Sequence, residues 1–144
     1  MAETKVANFS LDDLNVVAKS SKAFEFPYLN ADGKETGIYL SVLGGNADAV
    51  RTVAEEVIDA RRQKEAYRQM KASKSRPGSV VPEIDKTADD IAFGQRLAAV
   101  RLVGWRGIKE PCTPENAAKL CASNPSIAAQ VMEHSDDMAN FTKV

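Results

Sequence analysis

The chain has 144 residues, with 19 Lys and Arg against 20 Asp and Glu, one His, two Cys and a hydrophobic fraction of 44%. A chain of this length buries roughly 68 to 70% of the surface its unfolded form exposes, enough for a core without metal or disulfide staples, which argues against wholesale disorder. The longest uncharged stretch, Leu120 to Met132, is broken by Pro125 and falls short of the ~18 apolar residues a membrane span needs; no apolar export signal opens the chain, so a cytoplasm is the expected location.

Ser10 before Leu11-Asp12-Asp13-Leu14 places a capping hydroxyl and two acids at the start of a predicted short helix, Leu11 to Lys19, where acids favour the positive end of the helix dipole. Alternation follows. Phe24, Phe26 and Tyr28 share one face, Asn30-Ala31-Asp32-Gly33 makes a turn, and Ile38, Leu40 and Val42 share one face of a second run, which together predict a β-hairpin. After Gly44-Gly45, Asn46 offers a cap to a long helix whose apolar stripe is Val50, Val53, Ala54, Val57 and Ile58. Beyond Ala60 only Ala66, Tyr67 and Met70 interrupt charged and polar residues, so the second half is expected to project into solvent or onto a partner. Residues 73–82 read as a flexible linker by composition, with Pro77 and Gly78 as helix breakers.

A third helix from Asp85 or Thr87 carries Ala88, Ile91, Ala92, Ala99 and Leu102 on one side and Phe93, Leu97 and Val100 on another, and is therefore expected to be the central core helix, ending near Gly104. Thr113-Pro114-Glu115-Asn116 supplies a hydroxyl at N-cap, Pro at the first helical position and an acid in the first turn, a helix start; Asn124-Pro125 stops that helix and starts another. The last residues, 136–144, read as a frayed tail. The expected fold is α+β, predominantly α: a single domain over residues 1–144, with one N-terminal hairpin followed by about four helices.

Chemistry has little to work with. Cys112 and Cys121 stand nine apart without a His/Cys ligand set, which leaves no metal site and no cofactor to expect; both read as small, partly buried apolar side chains. His134 among Glu133, Asp136 and Asp137 reads as a solvated surface histidine. Glu55-Glu56, Asp89-Asp90 and Asp136-Asp137 are adjacent on helices, so each pair points about 100° apart and reads as solvated face rather than a shared acid–base site. No catalytic set is expected. Gly104-Trp105-Arg106-Gly107 matches the GXXG of KH loops but lacks that fold's context. Charge is uneven: residues 61–76 hold 7 basic and 1 acidic side chains, against 5 and 10 in residues 1–60. That basic segment carries a single aromatic, Tyr67, and cations at a helix C-terminus already complement the dipole. A small helical nucleic-acid-binding or regulatory protein using residues 61–76 is the alternative reading, and a solvated or protein-binding face the favoured one.

The run Val103-Gly104-Trp105-Arg106-Gly107-Ile108, then Pro111, Thr113-Pro114-Glu115-Asn116-Ala117, Leu120, Pro125, Ile127 and Gln130-Val131 resembles the C-terminal pattern of tail assembly chaperones of long-tailed, siphovirus-type bacteriophages. In that family a helix ends in a V-x-x-W-x-G turn, followed by [ST]-P-E-N and a P-x-[IL]-x-x-Q helix. Thr36-Gly37-Ile38, Asp48-Ala49-Val50 and a basic run before a linker extend the resemblance over residues 20–135; Lys109-Glu110 stand where the family often has Asp-Gly. Within the motif Gly104, Trp105, Gly107, Thr113, Pro114, Glu115 and Asn116 are structural: Trp105 is expected to fold over the core with its indole N–H on an acceptor.

The resemblance implies a non-enzymatic chaperone of virion morphogenesis, made in the host cytoplasm and absent from the mature virion, that binds the tape-measure protein and keeps it soluble during tail assembly. It also implies a programmed frameshift near the codons for the end of this chain, giving an extended form that recruits the tail-tube protein. Such a holder is expected to self-associate, as a ring or spiral, with acidic N-terminal and basic mid-chain surfaces in contact. Arg61, Arg62, Lys64 and Arg68, with Tyr67 and Met70 as apolar anchors, are the residues expected to carry that contact.

Overall fold

A computed structural model describes residues 5–74 and 87–142. The order of elements is α1 (Val16–Ser20), β1 (Phe24–Leu29), β2 (Glu35–Val42), α2 (Asp48–Lys74), α3 (Thr87–Arg101), β3 (Leu102–Arg106), α4 (Pro114–Ser123) and α5 (Pro125–Asp136), with 3-10 turns at Asp12–Leu14 and Met138–Asn140. The fold is α+β and helix-dominated, around a three-stranded antiparallel sheet of order β1-β2-β3.

The expected hairpin forms in the expected phase. Phe24 faces Val42 and Phe26 faces Leu40 across the ladder, so the alternating apolar residues of both strands share one side. Phe26, Leu40 and Val42 are buried, with Phe24, Tyr28 and Ile38 half-buried beside them. Asn30 organises the loop: its Oδ1 accepts from the N–H of Asp32 (2.9 Å) and of Lys34 (3.1 Å), while Gly33 takes φ +76°.

The third strand is the main departure from the sequence reading. Leu102 to Arg106 continue directly from α3 and pair with β2, Tyr39 facing Arg106 and Leu40 facing Trp105. Residues 102–104 extend the apolar pattern of the preceding helix, so local periodicity reads them as its end. The free edge of β2, about sixty residues upstream, captures them as strand instead. Gly107 closes the strand at φ +87°, and a Cβ there would stand 2.7 Å from the carbonyl oxygen of Gly37, so only glycine fits.

Four helix starts differ in how well local signals placed them. Thr113 Oγ1 accepts from Asn116 N–H (3.1 Å) and Asn124 Oδ1 from Ile127 N–H (3.2 Å), capping α4 and α5 as expected. The predicted Leu11–Lys19 helix is split: Ser10 and Asp13 bond reciprocally around the 3-10 turn, and Asn15 caps the short α1 by accepting from Ala18 N–H. At α2, Asn46 makes no capping bond. The buried Ala47 takes its place, its carbonyl accepting from Arg51 N–H at 3.0 Å.

The core consists of Phe26, Leu40, Val42, Ala98, Leu102, Ala117, Cys121, Ile127, Val131 and Phe141. It lies between the sheet and the layer of α3, α4 and α5. Only the C-terminal half of α3 enters it, through Ala98 with Ala99 packed alongside, whereas Ile91 is 56% exposed; the expectation of a core helix holds for half its length. The tail is likewise corrected: residues 136–140 extend α5 into a 3-10 turn, and Phe141 enters the core with its ring edge-on to Phe24 at 6.1 Å. Burying one large apolar side chain of this kind contributes about 1.5–3 kcal/mol, which is why residues 138–141 are held against the body, while residues 143–144 of the predicted tail lie outside the described residues. Of the predicted linker, Ser73 and Lys74 belong to α2, and residues 75–82 lie outside the described residues.

Candidate functional site

The residues singled out for self-association lie on the second half of α2. It runs beside the start of α3, where most of its side chains are exposed. The structure does not leave all of them free for a partner. Arg61 Nη2 is 2.6 Å from Asp90 Oδ1, and its guanidinium sits 4.5 Å from the Phe93 ring centroid. Lys64 Nζ is 3.7 Å from Asp89 Oδ2, and Arg68 Nη1 is 3.8 Å from Glu65 on the same helix. Asp89 and Asp90, read from the sequence as merely solvated, therefore face the basic arm and hold α3 against it. The pairs of Arg61 and Lys64 with α3 are exposed, and each contributes on the order of 0.2–1 kcal/mol. Arg62 is exposed and has no ion-pair partner among the described residues. Tyr67 and Met70 are 55% and 50% exposed, with Lys71 Nζ 5.1 Å from the Tyr67 ring centroid.

Where α2, α3 and α4 converge, sequence reasoning missed a surface. Val53, Ala92, Ala99, Val100, Ala118 and Ala122 line an open, mostly apolar groove of about 430 Å³. Its rim carries an ion pair between Arg96 and Glu56. Small side chains let a second element approach the backbone closely, so the groove accepts bulky apolar groups. The signal in the sequence was the recurrence of alanine at helical spacing, at 92 and 99 and again at 118 and 122, which local patterning assigns to core as readily as to a groove.

The motif residues come together as architecture. Trp105 Nε1–H donates to the Glu110 carbonyl at 2.7 Å, while the half-buried indole packs on the core, as anticipated. Asn116 Nδ2–H donates to the Pro111 carbonyl at 2.9 Å, and Thr113 caps the helix that Pro114 and Glu115 begin. Gly104, Trp105 and Gly107 thus close a strand, and Thr113 to Asn116 lock the loop after it. Gly104 to Gly107 are strand and strand end, not the helix-joining loop of a KH domain.

Titratable groups elsewhere serve packing. His134 is not a solvated histidine: its ring stacks on Phe26 with centroids 4.0 Å apart, because α5 lies across the sheet. Burial pushes the Cys121 thiol up to about 11, with nearby Cys112 adding to the shift, and burial also raises Cys112. Arg101, buried in the core's margin, joins three chain segments: its Nη1 donates to Asp136 and to Ser135 Oγ (3.4 Å), and its carbonyl accepts from Leu43 N–H (2.8 Å). Among the described residues no group of three or more His, Cys, Asp or Glu is placed to hold a metal, and no helix is long and apolar enough to cross a membrane. Comparison with known proteins returned nothing: no family model, no curated protein and no solved structure matches this chain.

Proposed function

We propose that this chain is a non-enzymatic tail assembly chaperone of a long-tailed bacteriophage, which binds the tape-measure protein and keeps it soluble while the tail is built. The observation that carries the reading is the motif from Val103 to Asn116, an uncommon conjunction of a Trp-Gly turn with a Thr-Pro-Glu-Asn helix start. In this fold those residues serve one architectural purpose. The surface supports the same reading. Large apolar side chains stand exposed at Phe9, Leu11, Leu14, Ile58, Tyr67 and Ile91, and the α2–α3–α4 groove is open. Distributed apolar contacts suit a protein that must hold an apolar helical client reversibly and release it to a polymerising tube.

In this reading the chain acts in the host cytoplasm, self-associates along the client, and meets the tail-tube protein through a frameshift-extended form. The ion pairs of Arg61 and Lys64 with α3 lower the capacity of segment 61–76 for phosphate, which favours the chaperone over nucleic-acid binding.

Co-expression with the tape-measure protein of the same phage tests the reading. A client that is insoluble alone is expected to become soluble and to co-purify at both low and high salt. An insoluble client with no complex, and tight salt-sensitive retention of nucleic acid, would overturn it.

A further inference from the structure

Away from the arm, Ser20 of α1, Asn46 before α2, and Phe141 and Thr142 after α5 line a partly enclosed cavity of about 240 Å³, whose wall carries Arg101 and Asp136. Sites for drug-sized molecules run to roughly 300–1,000 Å³, so only a small group fits here. Arg101, the last residue of α3, is the unusual member of this wall. Its side chain is only 9% exposed, yet of the five N–H donors of a guanidinium the structure uses those on Nη1 alone, toward Asp136 and Ser135 Oγ. Nε is buried and meets no acceptor, and Nη2 has none among the described residues. A buried donor left unmade is costly, so this guanidinium has unused binding capacity.

Nη2 stands beside Gly45, which also lines the cavity: a Cβ at Gly45 would lie 3.8 Å from it. Nε and Nη2 share the side edge of the guanidinium, the edge that grips a carboxylate or phosphate with two parallel hydrogen bonds. The start of α2 points to the same chemistry. Asn46, at the cavity, makes no capping bond, and the helix it precedes runs 27 residues, so its first N–H groups present a partial positive charge. We propose that this cavity binds a small oxyanion of the carboxylate or phosphate kind, held by the Nη2–Nε edge of Arg101 and the start of α2. Nη2 makes the first contact, and a slight turn of the guanidinium brings Nε to a second oxygen. Asp136 balances the charge of Arg101, and Asp48 in the first turn of α2 opposes an anion, so the affinity is expected to be modest. A bound anion links the ends of α3 and α5 to the start of α2 and stabilises the body by mass action. The site stands apart from the chaperone reading and does not depend on it.

Titration of the full chain with inorganic phosphate, and separately with acetate, at constant ionic strength tests the site by nitrogen-15 NMR and thermal melting. The Arg101 Nε–H resonance and the Gly45 and Asn46 amides are expected to shift and saturate, and the melting temperature to rise with the anion. Saturation by both anions assigns the site to carboxylates and phosphates alike, and saturation by one assigns it to that one. Two variants are expected to move the affinity in opposite directions. Asn46→Asp sets an acid at the exposed rim, where a helix start favours it, and is expected to keep the fold while weakening binding roughly two- to fivefold. Asp136→Asn removes the opposing charge, keeps an oxygen for Nη1, and is expected to tighten binding roughly tenfold. Should that variant loosen the C-terminal turn, Asn46→Asp decides alone. Shifts that never saturate, shifts that chloride reproduces at equal ionic strength, or an affinity that Asn46→Asp leaves unchanged would overturn the site.

Discussion

The body of this protein and its α2–α3 arm use similar residue types to opposite ends. In the body, Leu40, Val42, Ala98, Ala117, Cys121 and Val131 are fully enclosed between sheet and helices, and polar groups at the margin are tied down by Arg101, Ser135 and Asp136. On the arm, Ile58, Tyr67, Met70 and Ile91 are each about half exposed, and the helices are held together by ion pairs and one cation–π contact. Body stability therefore comes from area removed from water. The arm's cohesion comes from pairs that salt screens and that contribute little each. A region assembled this way keeps apolar surface available, which is the physical requirement for binding a client or a second copy.

The comparison is sharpest at the core. Leu40→Ala is expected to cost about 2–5 kcal/mol in urea unfolding, because a cavity is left between strand and helices, while Ile58→Ala on the arm stays within about 1 kcal/mol. Equal costs would mean that the arm is packed as tightly as the body.

The buried thiol gives an intermediate test. Cys121 ionises near 11 in the folded chain against about 9 when unfolded, so its contribution to stability is complete below pH 9 and is lost as the pH rises towards 11. Alkylation by iodoacetamide at pH 8 is expected to spare Cys121 in the native protein and to modify it in denaturant, with Cys112 intermediate. Rapid native modification of Cys121 would show that α4 opens readily from the body.

The smallest expected effect lies on the arm. A double-mutant cycle on Arg61→Met and Asp90→Asn is expected to return a coupling of roughly 0.2–1 kcal/mol, shrinking with added salt. A coupling of several kcal/mol, insensitive to salt, would place this pair with the body. Arg62→Glu is the cleaner charge reversal for self-association, since reversing Arg61 sets a carboxylate against Asp90 on the same molecule.

Much of the fold was legible because its signals are local. Alternation placed Phe24 to Tyr28 and Ile38 to Val42 on one face of a hairpin, and Thr113-Pro114 and Asn124-Pro125 marked helix starts that side-chain oxygens do cap. The projecting second half of α2 followed from the thinning of its apolar stripe after Ala60. Of the interaction surface, the exposure of Arg62, Tyr67 and Met70 was readable, but the partners of Arg61 and Lys64 were not, because Asp90 and Asp89 are distant in sequence and adjacent only once α3 packs on α2.

Composition, periodicity and capping chemistry by themselves determined a helix-rich α+β chain with one hairpin. Tertiary structure alone decided that Leu102 to Arg106 become a third strand, that Phe141 turns inward, that His134 stacks on Phe26, and that four alanines line a groove instead of a core. Those outcomes depend on which edge, face or hollow remains open after other elements have packed, and the free energy of filling it is non-local.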